Sequence, residues 1–353
     1  DVYKRQVIMK NEVKIALNIC TFQREEFIHR NLSLLQASDF FNPDNPQYYG
    51  RLHIFVVDNG SSLQLPESLY VHCIYNRNTG GSGGFQRGIE EIRKRNEGFT
   101  HVIFMDDDVA FDISSFYLLF DFLSGVGEAD RNRPVAGRMF CMDDPYIQYT
   151  AAEKWDRGMV SHVEFMRDVR KTAYTQGRVI YDADADYGGW WFCCFPYVFV
   201  QENDVLPFFI HCDDVEYGLR CGKKPIIIEG VQVWHETYDK RMTPLMQYYD
   251  TRNPLFVNQL YGFLPEPLQL LRQWKDKMTT FHVKGDWLSE YYVILAMNDF
   301  LKGMGWLKRI DAGKYHKKLQ KAKSCKVKNA ICWRLVEHRA KKKFMVHKNN
   351  CSG

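Results

Sequence analysis

The chain has 353 residues, of which 45% are hydrophobic and 15% aromatic, and its formal net charge is +4. This length and composition exclude a disordered or fibrous chain and predict one large catalytic domain with an appendage. The ten cysteines are irregularly spaced and form no CxxC pair, which excludes a zinc ribbon and favours reduced thiols in a cytosolic protein. The longest nearly apolar run, GGWWFCCFPYVFV, is too short to span a bilayer and contains a proline.

The N-terminal half predicts strands that alternate with helices. The first residues, DVYKRQ, lack an initiator Met and look like a fragment edge, so they are left out of the fold prediction. The segment VKIALNIC, residues 13–20, predicts a buried strand, and the residues after it predict a helix to about Ala37. RLHIFVVDNGSS predicts a second strand.

VHCIYN predicts a third strand, which leads into the glycine loop RNTGGSGG. The residues after the loop, FQRGIEEIRKRNEG, predict a helix with oppositely charged residues four apart. Strands and helices that alternate in units of this length predict a parallel α/β sheet, whose ligands bind at the carboxyl ends of the strands.

The segment THVIFMDDDVAF, residues 100–111, predicts a fourth strand that ends in three adjacent carboxylates. Carboxylates this close repel one another and are costly to bury unpaired, so a divalent cation is the leading candidate for a partner. One alternative is a helix-capping run, because Asp112 and Ser114 can cap a helix that begins just after them. Another is a haloacid-dehalogenase-type phosphatase, which is disfavoured because Ala110 stands at the fifth position of its DxDx[TV] pattern and two βα units precede the motif.

Further polar clusters come after the other predicted strands. Arg24 in TFQRE and Asp58 in VVDNGSS lie where a nucleotide can be contacted, although Asn-Gly is also a common turn. The glycine loop can hold a phosphate on its backbone amides or be a flexible turn. Asp213 and Asp214 precede a predicted helix, either as cap residues or with one of them as a general base.

After residue 135 the pattern becomes mixed. PVAGRMF and PIIIEGVQVWHE predict strands, and the second strand ends at His235, which is either structural or a metal ligand. Trp190 and Trp191 come after two glycines and serve either core packing or stacking against a sugar ring. Beyond Tyr248 the spacing predicts helices to about residue 306.

The charge is distributed unevenly along the chain. Residues 302–348 hold 16 of the 47 Lys and Arg but only 2 of the 43 acidic residues, which leaves 31 basic and 41 acidic residues elsewhere. A basic tail on an acidic body indicates an anionic partner, a membrane surface rather than nucleic acid, unless the tail is simply a solvated helical face.

Six motifs together resemble glycosyltransferase family 2, the inverting GT-A enzymes, and among these the bacterial galactofuranosyltransferases that build cell-wall galactan. In chain order the motifs are VVDNGSS, NRNTGGSGGFQRG, FMDDDV, WW, CDDVEYGLR and VWHE. The resemblance covers about residues 13–240, and YYDTRNPLF looks like a segment that such enzymes carry after the catalytic histidine. It implies an α/β fold of the GT-A type, a Rossmann-like mixed sheet with helices on both faces. It also implies a catalytic domain over residues 11–245 and a helical, basic C-terminal region over residues 246–353.

The resemblance also assigns roles to individual residues. The implied metal, Mn²⁺ or Mg²⁺, would be held by Asp106, Asp108 and His235. The implied contacts to a UDP-sugar donor are Arg24, Asp58, Asn78, Gly83, Gly84 and Asp107. Asp214 would be the catalytic base, with Asp213 beside it binding acceptor hydroxyls. Trp190 and Trp191 would form the wall of the acceptor site.

These roles predict an inverting transferase that moves galactofuranose from UDP-galactofuranose to a glycan or lipid-linked hydroxyl in cell-envelope polysaccharide synthesis. The predicted location is cytoplasmic and, through the basic tail, peripheral on the inner face of the membrane, with no nucleic acid as a partner. The alternatives are a rhamnosyl or other NDP-sugar transferase, a metal-dependent phosphatase or nucleotidyltransferase, and a non-catalytic sugar-nucleotide binder.

Overall fold

The computed structural model describes residues 11–66, 68–237 and 242–345. These residues form two compact units. The first unit contains residues 11–155, 160–205 and 214–237 apart from residue 67, and the second contains residues 156–159, 206–213 and 242–345. The DVYKRQ segment lies outside the described residues. The predicted domain boundary between residues 245 and 246 stays a prediction.

The first unit is built on a sheet of parallel and antiparallel strands. The strands of the described chain are β1 (Ile15–Thr21), β2 (Leu52–Asp58), β3 (Val71–Tyr75), β4 (His101–Asp106), β5 (Ala110–Phe111), β6 (Val135–Cys141), β7 (Ile147–Thr150), β8 (Glu153–Asp156), β9 (Met159–His162), β10 (Arg167–Asp168), β11 (Val179–Ile180), β12 (Cys193–Pro196) and β13 (Ile226–His235).

Four of these strands, in the order β3-β2-β1-β4, run parallel to one another. Their register aligns the carboxyl ends, because Cys20 of β1 lies opposite both Val57 of β2 and Asp106 of β4. Strands covered on both faces are apolar along their whole length, which explains the continuous apolar runs that predict β1, β2 and β4. The four strands predicted in this half of the chain are confirmed.

Beyond β4 the sheet becomes mixed. Strand β12 lies antiparallel between β4 and β6, and β13 runs parallel to β6 on its other side. The apolar run that contains β12 was identified from the sequence only as too short to span a membrane. Its role as a central strand was missed because periodicity alone does not distinguish a short buried strand from a helix.

Helices cover both faces of this sheet. In the first unit they are α1 (Glu25–Gln36), α2 (Gly80–Arg95), α3 (Ser114–Gly125), the single turn α4 (Tyr197–Val200) and α5 (Asp213–Cys221), with a 3₁₀ turn at Asp39–Phe41. Only the first residue of α5, Asp213, is assigned to the second unit.

Alternate residues of β1 separate the two faces. Ile15, Leu17 and Ile19 pack in one apolar cluster with side chains of α1 and α3, whereas Ala16 packs in another with side chains of α2 and α5. Each large apolar side chain that is fully buried contributes about 1.5–3 kcal/mol, so these two clusters hold the sheet and its helices together.

The second unit is helical. Its helices are α6 (Met246–Leu260), α7 (Pro267–Val283), α8 (Trp287–Leu301), α9 (Met304–Arg309), α10 (Ala312–Gln320) and α11 (Lys326–Met345). Tyr248 and Tyr249 of α6 and Tyr292 of α8 are buried in its core. The predicted fold class, a mixed α/β sheet with helices on both faces and a helical C-terminal region, is confirmed.

The structure also addresses two expectations about cysteines and membranes. No disulfide joins any of the nine cysteines among the described residues. No helix in the described part of the chain combines the length and apolar character needed to cross a bilayer.

Candidate active site

The acidic cluster lies where β4 leaves the core. Residues 102–105 are fully buried, and the strand ends at Asp106, whose side chain is 41% exposed. The next two side chains turn back into the protein, since Asp107 and Asp108 are both buried. The cluster therefore presents one open carboxylate and two covered ones.

Arg24 provides the positive charge that the covered carboxylates need. Its Nη1 lies 2.9 Å from Oδ1 of Asp107 and 2.7 Å from Oδ2 of Asp108. The Thr21 hydroxyl donates a further hydrogen bond to Asp107 at 2.7 Å. Burial raises the pKa of Asp107 above its usual value, and Arg24 and Thr21 oppose this shift. Here Arg24 binds the acidic cluster, whereas the sequence predicted that it contacts the donor; that contact stays a prediction.

His235 reaches the cluster through a strand pairing. Strand β5, four residues after Asp106, pairs antiparallel with β13 so that Ala110 lies opposite Trp234. This pairing places the next residue, His235, beside the acids. Its Nε2 is 3.0 Å from Oδ1 of Asp108 and 3.7 Å from Oδ2 of Asp106.

The three side chains fit a divalent cation. One potential ligand atom from each of Asp106, Asp108 and His235 lies within 4.8 Å of the others. Metal–oxygen bonds of about 2.1 Å place neighbouring ligand atoms of an octahedral ion about 3 Å apart. The distances from Nε2 of His235 to the carboxylates of Asp108 and Asp106, 3.0 and 3.7 Å, are close to this value. The two carboxylates suit Mn²⁺ and Mg²⁺, and the imidazole favours the softer ion, Mn²⁺, of the two.

Helix α1 fixes the acidic turn from below, a feature that the sequence analysis missed. The Nδ2 of Asn31 donates to the backbone oxygens of Asp107, at 3.0 Å, and Val109, at 3.2 Å. Arg30 also donates to the Val109 oxygen, at 2.6 Å. Asn31 is fully buried. The sequence could have indicated this role, because Asn31 is a polar residue on the buried face of α1.

Asp58 organises its own turn. One carboxylate oxygen accepts the N–H of Gly60 at 2.8 Å, and the other accepts the N–H groups of Ser62 and Leu63, both at 2.7 Å. The residue is only 1% exposed. These bonds give Asp58 a structural function at the end of β2, and its predicted donor contact stays a prediction.

The glycines that were predicted to form a loop lie in the first turns of α2, so this helix begins earlier than the sequence predicted. Helix α2 begins at Gly80, whose N–H is accepted by Oδ1 of Asn78 at 3.0 Å. Only the first amides of a helix are free of its own hydrogen bonds, so Gly83 and Gly84 lie beyond the amides that could hold a phosphate. A Cβ added to Gly84 would lie 2.0 Å from Sγ of Cys20 on β1. These glycines thus allow close packing of α2 on the sheet.

The two tryptophans have different environments. Trp190 is 4% exposed, and its ring stacks on Phe104 with centroids 4.6 Å apart. Burial between α2, β4 and α5 places the Trp190 ring in the core, which favours the packing role, and its predicted acceptor contact stays a prediction. Trp191 is partly exposed, and its Nε1 donates to the Gly137 oxygen at 2.8 Å.

Asp213 and Asp214 are the first two residues of α5, in its first turn. One carboxylate oxygen of Asp214 accepts the Val215 N–H at 2.8 Å. Further along α5, the ring of Tyr217 packs against Phe104 of β4, with centroids 5.6 Å apart. Because Phe104 is two residues before Asp106, this contact places α5 beside the carboxyl end of β4. A helix N-terminus also stabilises negative charge.

The backbone just before α5 is strained. Phe209, His211 and Cys212 have φ angles of 76°, 67° and 63°, values that residues other than glycine rarely adopt. Each such residue costs of order 1 kcal/mol or more and persists only where its surroundings enforce it. Such strain is often found at functional sites.

Comparison with known proteins gives a consistent result. Residues 17–135 match the family model for glycosyl transferase family 2. The galactofuranosyltransferase GlfT2 of Mycobacterium tuberculosis is 28% identical over 248 residues, covering 64% of this chain and 38% of the relative. GlfT2 of Mycolicibacterium smegmatis is 29% identical over 268 residues, covering 69% of this chain and 39% of the relative. The chain thus spans about two fifths of the length of these curated relatives.

Two solved structures are distant matches. The mannosyltransferase PcManGT from Pyrobaculum calidifontis, in complex with GDP-Man and Mn²⁺, has a TM-score of 0.43 at 11% identity, covering 95% of this chain and 88% of that one. GalNAc-T7 with UDP, GalNAc and Mn²⁺ has a TM-score of 0.47 at 12% identity, covering 70% and 48%. Both scores are below 0.5, so neither match supports a conclusion about function. The chain is thus similar to glycosyl transferase family 2 over residues 17–135 and, over a longer stretch, to two curated galactofuranosyltransferases.

Proposed function

We propose that the chain transfers a sugar from a nucleotide-diphosphate donor to a hydroxyl acceptor. The observation that carries this proposal is the meeting of Asp106, Asp108 and His235 at the carboxyl edge of a sheet whose first strands match the family 2 model. UDP-galactofuranose is the favoured donor because both curated relatives are galactofuranosyltransferases. The acceptor would be a glycan or lipid-linked hydroxyl of the cell envelope.

Asp106, Asp108 and His235 would hold Mn²⁺ or Mg²⁺. When bound there, a divalent cation supplies positive charge for the departing diphosphate. Arg24, paired with Asp107 and Asp108, opposes the rise that burial causes in the pKa of Asp107, and it would hold Asp108 in place as a ligand. Asn31 holds the backbone of the same turn. A rigid set of ligands keeps the reacting groups in position, which is a large part of catalytic rate.

Asp214 would act as the general base. The acceptor oxygen attacks the anomeric carbon on the face opposite the diphosphate, a carbon–oxygen bond forms, and the bond to the diphosphate oxygen breaks with inversion. The acceptor proton passes to the carboxylate of Asp214. The first turn of α5 favours the ionised form that a base requires.

Asp213 and Trp191 are the proposed acceptor contacts. Asp213 is adjacent to the base in the first turn of α5, and a carboxylate accepts hydrogen bonds from sugar hydroxyls. Trp191 is partly exposed, and a sugar ring can stack on an indole face. Trp190 has no place in this proposal because it is buried in the core.

Helix α11 supports a peripheral position on an anionic membrane. Its twenty residues include seven Lys or Arg and one acid, Glu337. One face carries Val327, Ile331 and Leu335, four residues apart and 68%, 55% and 56% exposed; we call these three side chains the α11 stripe. An exposed apolar stripe on a basic helix suits the interface of an anionic bilayer, where apolar burial and charge attraction act together.

The direct test of the transferase proposal is product release from a panel of UDP- and dTDP-sugars, with and without Mn²⁺. We expect Mn²⁺-dependent release of UDP from UDP-galactofuranose, and loss of that release in Asp108→Ala. Asp44→Ala is the matched control, since Asp44 is an exposed acid of a loop in the same unit. Release of inorganic phosphate in place of UDP would indicate a phosphatase, and UDP release unaffected by Asp108→Ala would contradict the assigned metal site.

A further inference from the structure

The chain just before α5 is held by side chains of α6. Phe209, His211 and Cys212 have φ angles of 76°, 67° and 63°. A residue other than glycine keeps such an angle only where its surroundings enforce it. Residues 206–213 belong to the second unit, as does α6. We call residues 208–212 the α5 entry segment.

Asn253 of α6 donates to two backbone oxygens of the α5 entry segment. The residue is fully buried, and its Nδ2 lies 2.7 Å from the Ile210 oxygen and 2.9 Å from the His211 oxygen. Both hydrogens of the amide nitrogen are thereby used. The amide oxygen accepts the Nε–H of Arg252 at 2.8 Å, which fixes the orientation of the amide. Asn253 therefore fixes two consecutive peptide groups of the segment.

Arg252 and Asp250 hold the same segment at two further points. Nη2 of Arg252 donates to the Phe208 oxygen at 2.5 Å, and the residue is only 2% exposed. The carboxylate of Asp250 lies 2.5 Å from Nδ1 of His211. We call Asp250, Arg252 and Asn253 the α6 anchor. Because its bonds go to both backbone and ring, the α6 anchor explains how the strained segment keeps its geometry.

The acidic pair Asp213 and Asp214 directly follows the α5 entry segment. The first N–H groups of a helix have no partner within the helix, so the path by which the chain enters sets the direction of its first side chains. Cys212 alone separates His211 from the start of α5. A shift at His211 would therefore pass to the acidic pair, with little chain between them to absorb it.

We propose that the α6 anchor positions Asp214, and that Asn253 is the positioning residue on which this most depends. The inference rests on the proposed function, which makes Asp214 the general base. Displacing a reacting group by about 1 Å can lower a rate about a hundredfold. Without the Asn253 amide, two peptide groups next to α5 lose their donors, and the Asp214 carboxylate spends less time where it can take the acceptor proton.

The first test is hydrogen exchange of the full chain, which needs no substrate. Asn253→Ala should raise the exchange rate of amides in residues 208–216 by about tenfold or more, because two buried hydrogen bonds are lost. Asn258→Ala is the matched control, since Asn258 is another buried residue of α6 and donates to the Arg157 oxygen at 2.9 Å. The control should leave exchange in residues 208–216 unchanged. Unchanged exchange in Asn253→Ala would refute the α6 anchor.

The second test measures UDP release from UDP-galactofuranose with Mn²⁺ and octyl galactofuranoside as acceptor. Asn253→Ala should lower kcat by about tenfold or more and leave the Kd for UDP unchanged, because the base is misplaced while donor binding is kept. In the Asp214→Asn background, Asn253→Ala should cause no further loss, since a positioning residue has no effect once the base is absent. Asn258→Ala should leave kcat unchanged.

Two outcomes of the second test would overturn the positioning role. These are a wild-type kcat in Asn253→Ala, and an equal fold loss from Asn253→Ala with and without the Asp214 carboxylate. No UDP release by the wild type would instead refute the proposed function and the positioning role with it, while hydrogen exchange still decides whether the α6 anchor holds the segment.

A second variant covers the case in which Asn253→Ala does not fold, as checked by circular dichroism and thermal unfolding. Asp250→Asn keeps the size of the side chain and removes the charge that pairs with His211. It should raise exchange in residues 208–216 and lower kcat, each severalfold. Unchanged exchange together with unchanged kcat in Asp250→Asn would then refute the proposal.

Discussion

Replacing Gly84 by Ala tests whether the glycines of α2 serve packing. The added Cβ would lie 2.0 Å from Sγ of Cys20, 3.0 Å from its Cβ and 3.1 Å from Nδ2 of Asn59. Carbon and sulfur atoms in contact are normally separated by about 3.5–4 Å, so α2 must move away from β1. Overpacking of this kind costs about 1–3 kcal/mol, and the overlap here is at the severe end. Alanine regains about 1 kcal/mol of helix propensity, which leaves a net loss of about 2 kcal/mol.

The loss is measured as the free energy of unfolding in urea, with thermal unfolding as a second probe. A change of about 2 kcal/mol corresponds to a fall of about 4–8 °C in Tm for a domain of this size. Gly125→Ala is the matched control, since Gly125 also lies in a helix and its added Cβ would meet no atom within 4 Å. It should leave the stability unchanged or slightly raised.

A double-mutant cycle with Cys20→Ala isolates the contact. Removing Sγ clears the closest atom, so Cys20→Ala should recover part of the loss in the Gly84→Ala background, with a coupling energy of about 1–2 kcal/mol. If Gly84→Ala is as stable as the wild type, or if the two changes are simply additive, the packing explanation is refuted.

Three further predictions concern burial, pH and the membrane. Trp190→Ala should lower the free energy of unfolding by about 3–5 kcal/mol, as for a fully buried aromatic residue, and Trp191→Ala by less than half of that; equal losses in urea denaturation would contradict the assigned environments. Burial lowers the pKa of His101 to about 4 from an ordinary value of 6.5. As the pH falls, the unfolded chain therefore binds a proton at His101 before the folded chain does. The contribution of neutral His101 to stability is fully present above pH 6.5 and is lost between pH 6.5 and 4, by at most about 3 kcal/mol. His101→Leu should flatten the dependence of the free energy of unfolding on pH, and an unchanged dependence would exclude His101 as its source. Replacing all three residues of the α11 stripe by Asn should abolish sedimentation with phosphatidylglycerol vesicles. The control variant Leu268→Asn/Val283→Asn changes two exposed apolar residues of α7 and should still sediment. Unchanged sedimentation of the stripe variant would exclude the α11 stripe as the membrane-binding face.

The sequence predicted those features that depend on short stretches of chain. The apolar runs of β1, β2 and β4 and the acidic end of β4 are local patterns, and both were read correctly. Local pattern was insufficient where a distant segment decides the structure. The run that forms β12 becomes a strand because β4 and β6 flank it. The glycines whose sequence resembles a loop lie in the first turns of α2, where the absence of a side chain lets the helix pack close to β1.

The candidate site likewise combines features that the sequence indicated with features that depend on distant parts of the chain. The resemblance named Asp106, Asp108 and His235 as one group, and the structure brings them together through the pairing of β5 with β13. No local signal indicated that Arg24 would bind the acidic cluster, because an Arg after a strand is compatible with many partners. The burial of Trp190 was likewise undecided by sequence, since it depends on rings from α2, β4 and α5.

The most direct test of the proposed function is UDP release from UDP-galactofuranose by Asp214→Asn, with Mn²⁺ and a glycan acceptor present. We predict that the variant binds the donor as tightly as the wild type but releases UDP at least about a hundredfold more slowly, because it has no carboxylate to take the acceptor proton. Release at the wild-type rate would show that Asp214 is not the base and would contradict the assignment of the reaction to this end of α5.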